Sequence, residues 1–314
     1  MNDFRFPLGQ WVEDAIDWIT QTFGFLFDFV ATVVQGAYDG VDSVFSTPPF
    51  WAVILVLAAL GFAVRGWKFA IGTVIGLTII VGVDQWENAM DTLALVIVAS
   101  VISILIAVPL GIAAARNRAT SNFLRPILDL TQTMPAFVYL IPALILFGIG
   151  AVPGVVATII FSVAPGVRLT ELGIRGVDSE VVEAGQAFGA SPWRILRQIQ
   201  LPLALPSIMA GINQVIMLSL SMVVIAGMVG AGGLGRDVVA SLNRIDVALG
   251  FEAGLSVVIL AIFLDRITAA LGGGNTPLGR LFGIRGRKRL ELENRAAPSA
   301  PEQKPAPERE LVDA

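Results

Sequence analysis

Residues 183–202 read EAGQAFGASPWRILRQIQLP, a polar stretch set between two long apolar runs, 152–167 and 205–230. Its residues predict two short helices around a tight turn. Glu183 to Phe188 form the first, Gly189 supplies a C-terminal stop, and Ser191 followed by Pro192 supplies an N-cap and first residue for the second. Pro202 is expected to end the second helix. A loop built from two helices is firm enough to be pushed, whereas a floppy connection would not transmit force. An ordinary amphipathic hairpin on a membrane surface would share this composition.

Composition sets the class. Hydrophobic residues make up 55% of the chain and charged residues 15%, and the mean hydropathy is +0.77, far from a soluble domain. The chain reads as an all-α polytopic membrane protein. It contains neither cysteine nor histidine, which removes disulfides, thiolate and imidazole metal sites and histidine-activated nucleophiles. No G-x-x-x-x-G-K-[ST] phosphate loop occurs, so ATP hydrolysis is not expected of this chain. Nothing in it points to nucleic acid.

About seven membrane spans are expected. The apolar stretch from Pro49 to Val83 would be about 50 Å long as one helix, against a hydrocarbon core of about 30 Å, so it must fold back. Arg65, Gly66, Trp67 and Lys68 mark the turn, giving short spans at 50–64 and 69–83. The others are expected at 90–113, 131–149, 152–167, 205–230 and 249–271. Trp51, Trp67 and Trp86 fall at span ends, where indole rings favour the headgroups.

Charge then orients the chain. Arg65, Lys68, Arg116, Arg118, Arg125, Arg168, Arg175, Arg194, Arg197, Arg280, Arg285, Arg287, Lys288 and Arg289 fall on one side, and Arg5, Arg236 and Arg244 on the other. The positive-inside rule puts the first group in the cytoplasm, with the N-terminus outside, the C-terminus inside and the 183–202 loop cytoplasmic. Asp265 and Arg266, near the cytoplasmic end of the last span, read as snorkelling charges. A proton relay would want carboxylates near several span centres, a pattern absent from the third to sixth spans.

The 183–202 stretch resembles the EAA loop of bacterial ABC importer permeases, whose pattern is E-A-A, three residues, G, nine residues, I-x-L-P. Glu183, Ala184, Gly189, Ile199, Leu201 and Pro202 match, and Gly185 stands where the pattern has a second alanine. TMPAFVYLIPALILFGIG (133–150), VAPGVRLTELGIRGV (163–177), MAGINQVIMLSLSMVVIAGMVGAGGLG (209–235) and LDRIT (264–268) are similar to permeases of glycine betaine and proline betaine importers. This likeness covers residues 85–272.

The resemblance implies a type I ABC importer permease core in the bacterial cytoplasmic membrane. It also implies a dimer of ATPase subunits that bind ATP and Mg, an extracytoplasmic substrate-binding protein, and a second permease copy. Coupling to the ATPase would pass through Glu183, Ala184, Gly185, Gly189, Ser191, Pro192, Ile199, Leu201 and Pro202. The same permease fold with choline, carnitine or another small zwitterion as substrate stays open, as does an autonomous osmolyte carrier or channel.

Four parts of the chain follow. Residues 1–49, with seven acidic residues and one basic, form an external or interfacial amphipathic extension without the pattern of a cleaved signal peptide. Residues 50–83 form an accessory hairpin, 84–272 the permease core, and 273–314 a basic and then disordered tail. Candidate path residues are Thr133, Met134, Phe137 and Tyr139 on the span broken by Pro135 and Pro142, and Asn213, Gln214, Met217, Ser219, Ser221 and Met222 on the sixth span. Aromatic faces and methionines suit a quaternary ammonium, which donates no hydrogen bond. Small and hydroxylated residues serve helix packing in membranes equally well. The GAGGLG run at 230–235 is expected to allow tight backbone turns at the external mouth rather than to bind a dinucleotide.

Overall fold

The computed structural model describes residues 7–272, and among them every regular element is helical. The expected tail at 273–314, with its five basic residues at 280–289, lies outside the described residues, as does Arg5. Helix α1 (Leu8–Ser46) kinks at Phe23 and meets α2 (Phe50–Arg65) at 100°. Gly66, with φ of +91°, turns the chain into α3 (Trp67–Gly82). At 16 residues each, α2 and α3 are about 24 Å long, short of a full hydrocarbon core.

Then follow α4 (Trp86–Arg116), α5 (Arg118–Thr133), α6 (Ala136–Phe147), α7 (Ala151–Arg175), α8 (Ser179–Ala187), α9 (Pro192–Ile195), a π-helical turn (Leu196–Gln200), α10 (Leu201–Ser221), α11 (Val223–Met228), α12 (Gly233–Arg244) and α13 (Val247–Gly272). By length and composition four helices can cross a membrane unaided: α4, α7, the continuous run Pro192–Met228, and α13. The number rises to six if each of two bent pairs is one crossing. The seven expected apolar segments all occur as helices, but not all as full spans.

The expected span at 131–149 is where the structure differs most. It is split into α5 and α6, which meet at 98°. Pro135 has no N–H to donate and its ring excludes a helical carbonyl behind it, while Met134, preceding a proline, is extended at φ −73° and ψ 137°.

The core is a seam of small residues between α4 and α7. The Ser103 and Ser162 hydroxyls lie 2.9 Å apart. One turn on, a Cβ on Gly166 would stand 2.7 Å from Ala107 Cβ, and a turn further a Cβ on Gly111 would stand 2.5 Å from Thr170 Cβ. The pairs 103/162, 107/166 and 111/170 ascend together, so α4 and α7 run parallel. The chain between them must therefore return across the bundle, and α5 and α6 jointly make that return. Close backbone approach at small residues is how helices gain packing contacts in lipid, where no hydrophobic driving force separates them from the solvent.

Helix α10 packs antiparallel on the same helix: Gly211 sits against Leu169 and Gly166, and Gly173 against Ser207 and Ala204. The second half of α1 also joins the bundle. Val34 is buried with Leu95, Val96 and Ala99 of α4, and Phe27 meets Phe147 of α6 edge to face at 5.8 Å. The N-terminal segment thus packs on the helices that follow it.

Candidate coupling loop and translocation path

Helix α7 delivers the chain to the loop, and each turn of the loop has a local cause. Asp178 caps α8 by accepting from the Glu180 N–H at 2.9 Å, so the first helix begins four residues before Glu183, where the sequence reading started it. Gly189, at φ +75°, ends it. Its N–H donates to the Gln186 carbonyl at 2.8 Å and the Ala190 N–H donates to the Gly185 carbonyl at 3.1 Å, the paired bonds of a glycine-terminated helix. Ser191 Oγ then accepts from the Arg194 N–H at 3.4 Å, and Pro192 opens the second helix.

The second helix does not stop at Pro202. It passes through the π-helical turn at Leu196–Gln200 and continues without a break into α10. The wider turn accommodates a proline that cannot donate to the helical ladder, and a π-turn followed by proline is a local adjustment rather than an end. The loop's second helix is therefore one end of a long apolar helix, Pro192–Met228.

That continuity decides what moves with what. Leu196 is fully buried among Ile174, Ala204 and Ile208, with Ile112 and Ala115 of α4 packed around them. Helix α8 buries none of its residues and rests on the second helix: Gly185 faces Ile199 and Ile195. Glu183, Ala184, Gly189, Ser191, Pro192 and Pro202 are exposed, and Ile199 and Leu201 are half-buried. Two residues the sequence reading passed over stand out here. Phe188 is 92% exposed beside the Gly189 turn and Trp193 is 58% exposed at the start of the second helix. An aromatic at each side of a polar turn was the available signal.

Just inside the loop lies a charged cluster. The Glu171 carboxylate, 12% exposed, accepts from Ser121 Oγ at 2.7 Å and pairs with Arg175 at 3.1 Å and Arg125 at 3.8 Å. Arg175 also donates to the Ala114 carbonyl at 2.7 Å, in the last turn of α4, and Arg168 pairs with Asp129. These side chains line a cavity of about 380 Å³. They tie the loop-side parts of α4, α5 and α7 together close to the point where α7 enters the loop. The i, i+4 spacing of Glu171 and Arg175 was legible in the sequence; their partners on α4 and α5 were not.

The path candidates divide. Thr133 and Phe137 are exposed and Met134 half-buried around the bend between α5 and α6. On α10, Gln214 and Ser221 are exposed and Met217 is half-buried, at spacings of three, four and seven residues that put them on one helical face. Asn213 points elsewhere: its Nδ2 donates to Asp265 Oδ1 at 3.2 Å and its carbonyl oxygen accepts from the Thr268 hydroxyl, locking α10 to α13. Asp265 thus has a partner on α10, while its side chain stays 36% exposed. Ser219 is fully buried and donates to the Val215 carbonyl at 2.8 Å, and Met222 is buried with Leu140, Ala157 and Val229. Asn213, Ser219 and Met222 are thus held by partners within the bundle. Tyr139 is half-buried with its hydroxyl enclosed among apolar neighbours.

At the other end of the bundle the glycine run makes the turns expected of it. Gly230, Gly232 and Gly233 have positive φ, and a Cβ on Gly227 would strike the Gly235 backbone at 2.3 Å, so α11 and α12 touch backbone to backbone. Asp237 accepts from Gln85 and Asn88, and the Leu234 N–H donates to Thr92 Oγ1 at 2.9 Å, fastening α12 to the start of α4.

Comparison with known proteins matches residues 107–274 to the family model of binding-protein-dependent transport system inner membrane components. A glycine betaine/carnitine transport permease protein of Listeria monocytogenes is 47% identical over 268 residues, 84% of this chain and 95% of that protein. A glycine betaine/proline betaine transport system permease protein of Escherichia coli is 46% identical over 266 residues, 85% of this chain and 75% of that one. A glycine betaine transport system permease protein of Bacillus subtilis is 45% identical, covering 84% and 94%. Among solved structures, an inward-facing form of the MetNI methionine ABC transporter aligns with a TM-score of 0.55 over 60% of this chain and 94% of that chain, at 22% identity, a likeness of fold.

Proposed function

The chain belongs to the family of binding-protein-dependent transport system inner membrane components, a non-catalytic ABC permease subunit, and from that premise we propose that it carries glycine betaine, proline betaine or a related quaternary ammonium osmolyte into the cell. Its partners in this reading are a dimer of ATPase subunits holding ATP and Mg, an extracytoplasmic substrate-binding protein, and a second permease copy that completes the path. The 183–202 loop faces the cytoplasm, with the N-terminus outside and the C-terminus inside.

One observation carries the reading: a loop of two capped helices that is exposed on its outer side and continuous with a membrane helix on its inner side. Phe188 and Trp193 offer apolar knobs, and Glu183 a charge, to a groove on the ATPase. A push on α8 passes through Gly185 to Ile199, and through the buried Leu196 into α10 and α4. It also reaches α7 through its C-terminal end, and from there α4 and α5 through Glu171 and Arg175. Closure of the two ATPases draws the two loops together and opens the bundle outward; hydrolysis resets it.

Phe137, Met134 and Met217 supply the polarisable surface that a trimethylammonium group prefers, and the Gln214 amide supplies donors for a carboxylate, with Ser221 on the same face, its hydroxyl donating to the Met217 carbonyl at 3.0 Å. The test is a mild-detergent pull-down of the tagged chain from native membranes, with mass spectrometry and an ATPase assay. Recovery of an ATPase, lost in Glu183→Lys, is the expected result. A stable preparation without ATPase that still moves betaine into liposomes would make the protein an autonomous carrier.

A further inference from the structure

Outside the loop and the path, helices α3 and α13 leave an apolar groove of about 300 Å³ between them. Phe69 and Phe263 stack at 6.1 Å with an interplanar angle of 10° and form its floor. Ile75 and Ile262, both more than half exposed, form its rims. At one end Gly76 lies so close to Ile259 that a Cβ would meet Ile259 Cγ2 at 2.9 Å, and the helices touch. At Gly72, by contrast, a Cβ would have no neighbour within 4 Å, so the missing side chain is what keeps the groove open.

The other end is cationic. Lys68 lines the groove where α3 begins. Arg266, four residues beyond Ile262 on α13, lies on the same helical face one turn further on and is half exposed. Its Nε stands 3.8 Å from Asp265 Oδ2, a loose pair, while the other Asp265 oxygen is held by Asn213. From Lys68 to Leu77 the groove follows α3 for about 14 Å, close to one leaflet of a hydrocarbon core about 30 Å thick.

We propose that this groove binds an anionic phospholipid of the cytoplasmic leaflet, an acyl chain lying over Gly72 and the phosphate held by Lys68 and Arg266. The lipid bridges the short hairpin helix α3 to α13 on the open side of a contact whose other side buries Leu77 and Ile80 with Leu260 and Phe263. The assignment of leaflet rests on the cytoplasmic placement of the α2–α3 turn; the binding itself does not.

The experiment uses the purified full chain in mild detergent, titrated with phosphatidylglycerol or phosphatidylcholine of identical acyl chains. Native mass spectrometry reads bound lipid and thermal unfolding reads stabilisation. Phosphatidylglycerol is expected to remain bound and to raise the melting temperature more than phosphatidylcholine. Lys68→Gln should weaken phosphatidylglycerol about fivefold, the contribution of one basic residue beside an anionic headgroup, and Lys68→Arg should restore it. Gly72→Leu, which fills open space, should fold normally and lose the lipid-dependent shift. Equal responses to the two lipids, or an unchanged response in Gly72→Leu, would overturn the proposal. A change of oligomeric state in Gly72→Leu with the lipid response intact would instead give the groove to a second copy. None of these readouts involves transport, so failure here leaves the transport reading untouched.

Discussion

Gly185 of α8 lies directly on Ile199 of the second loop helix, so near that a Cβ on the glycine would stand 2.7 Å from Ile199 Cδ1. The contact is the joint through which α8 pushes the membrane helix. Gly185→Ala is expected to be tolerated, because the obstructing atom is the free end of a flexible side chain and alanine favours a helix by about 1 kcal/mol over glycine. Gly185→Leu cannot be absorbed by one rotation and should part the two helices. Betaine-stimulated ATPase activity of the reconstituted complex is expected to survive the first change and to fall severalfold in the second, with membrane insertion unaltered. Equal coupling in both would remove the joint.

Gly189→Val places a β-branched residue at φ +75°, a conformation that costs an L residue about 1–2 kcal/mol or more. The helix-ending bonds from Gly189 and Ala190 would be weakened, and the angle between the two loop helices would drift. Uptake should be lost while ATPase turnover persists, whereas Gly189→Asn, which tolerates positive φ, should retain most coupling. Measuring uptake and hydrolysis in the same proteoliposomes separates the two outcomes.

Glu171→Gln would leave Arg175 and Arg125 facing each other without their shared carboxylate. Breaking a largely buried pair by removing one member costs up to about 3 kcal/mol. Arg125→Ala, at a side chain 62% exposed, should cost less than about 1 kcal/mol. Thermal unfolding of the purified variants checks the order: Glu171→Gln should melt well below wild type and Arg125→Ala close to it.

How much of this was written in the sequence follows from which interactions are local. The loop was legible because caps, turns and a left-handed glycine are decided within five residues, as Ser191, Pro192 and Gly189 illustrate. The hairpin was legible because Gly66 interrupts a run too long for one crossing. Pro202 misled because a proline ends a helix only when the preceding turn keeps α geometry, and here that turn widens to a π-helix. Asn213, Ser219 and Met222 share one helix with Gln214 and Ser221; sorting them needs the positions of α13 and α7, which no short window of sequence contains. The Glu171 cluster was hidden for the same reason, since its partners stand 46 and 50 residues away.

The sorting of α10 can be tested directly, because the chain has no cysteine and any introduced thiol reports alone. Gln214→Cys and Ser221→Cys should react with a water-soluble thiol reagent in membranes, and bound substrate or a trapped nucleotide state should change the rate. Ser219→Cys, fully buried and bonded to its own helix, should stay unreactive in every state. Met222→Cys should behave likewise, while losing stability through the cavity left beside Leu140 and Ala157. The contrast between positions 219 and 221 is the sharpest, since the two lie two residues apart and a span that merely faced lipid would leave both unlabelled. Reaction at 219 with protection at 221 would mean that α10 turns its other face to the path, and Asn213 would then return as a candidate for contact with substrate.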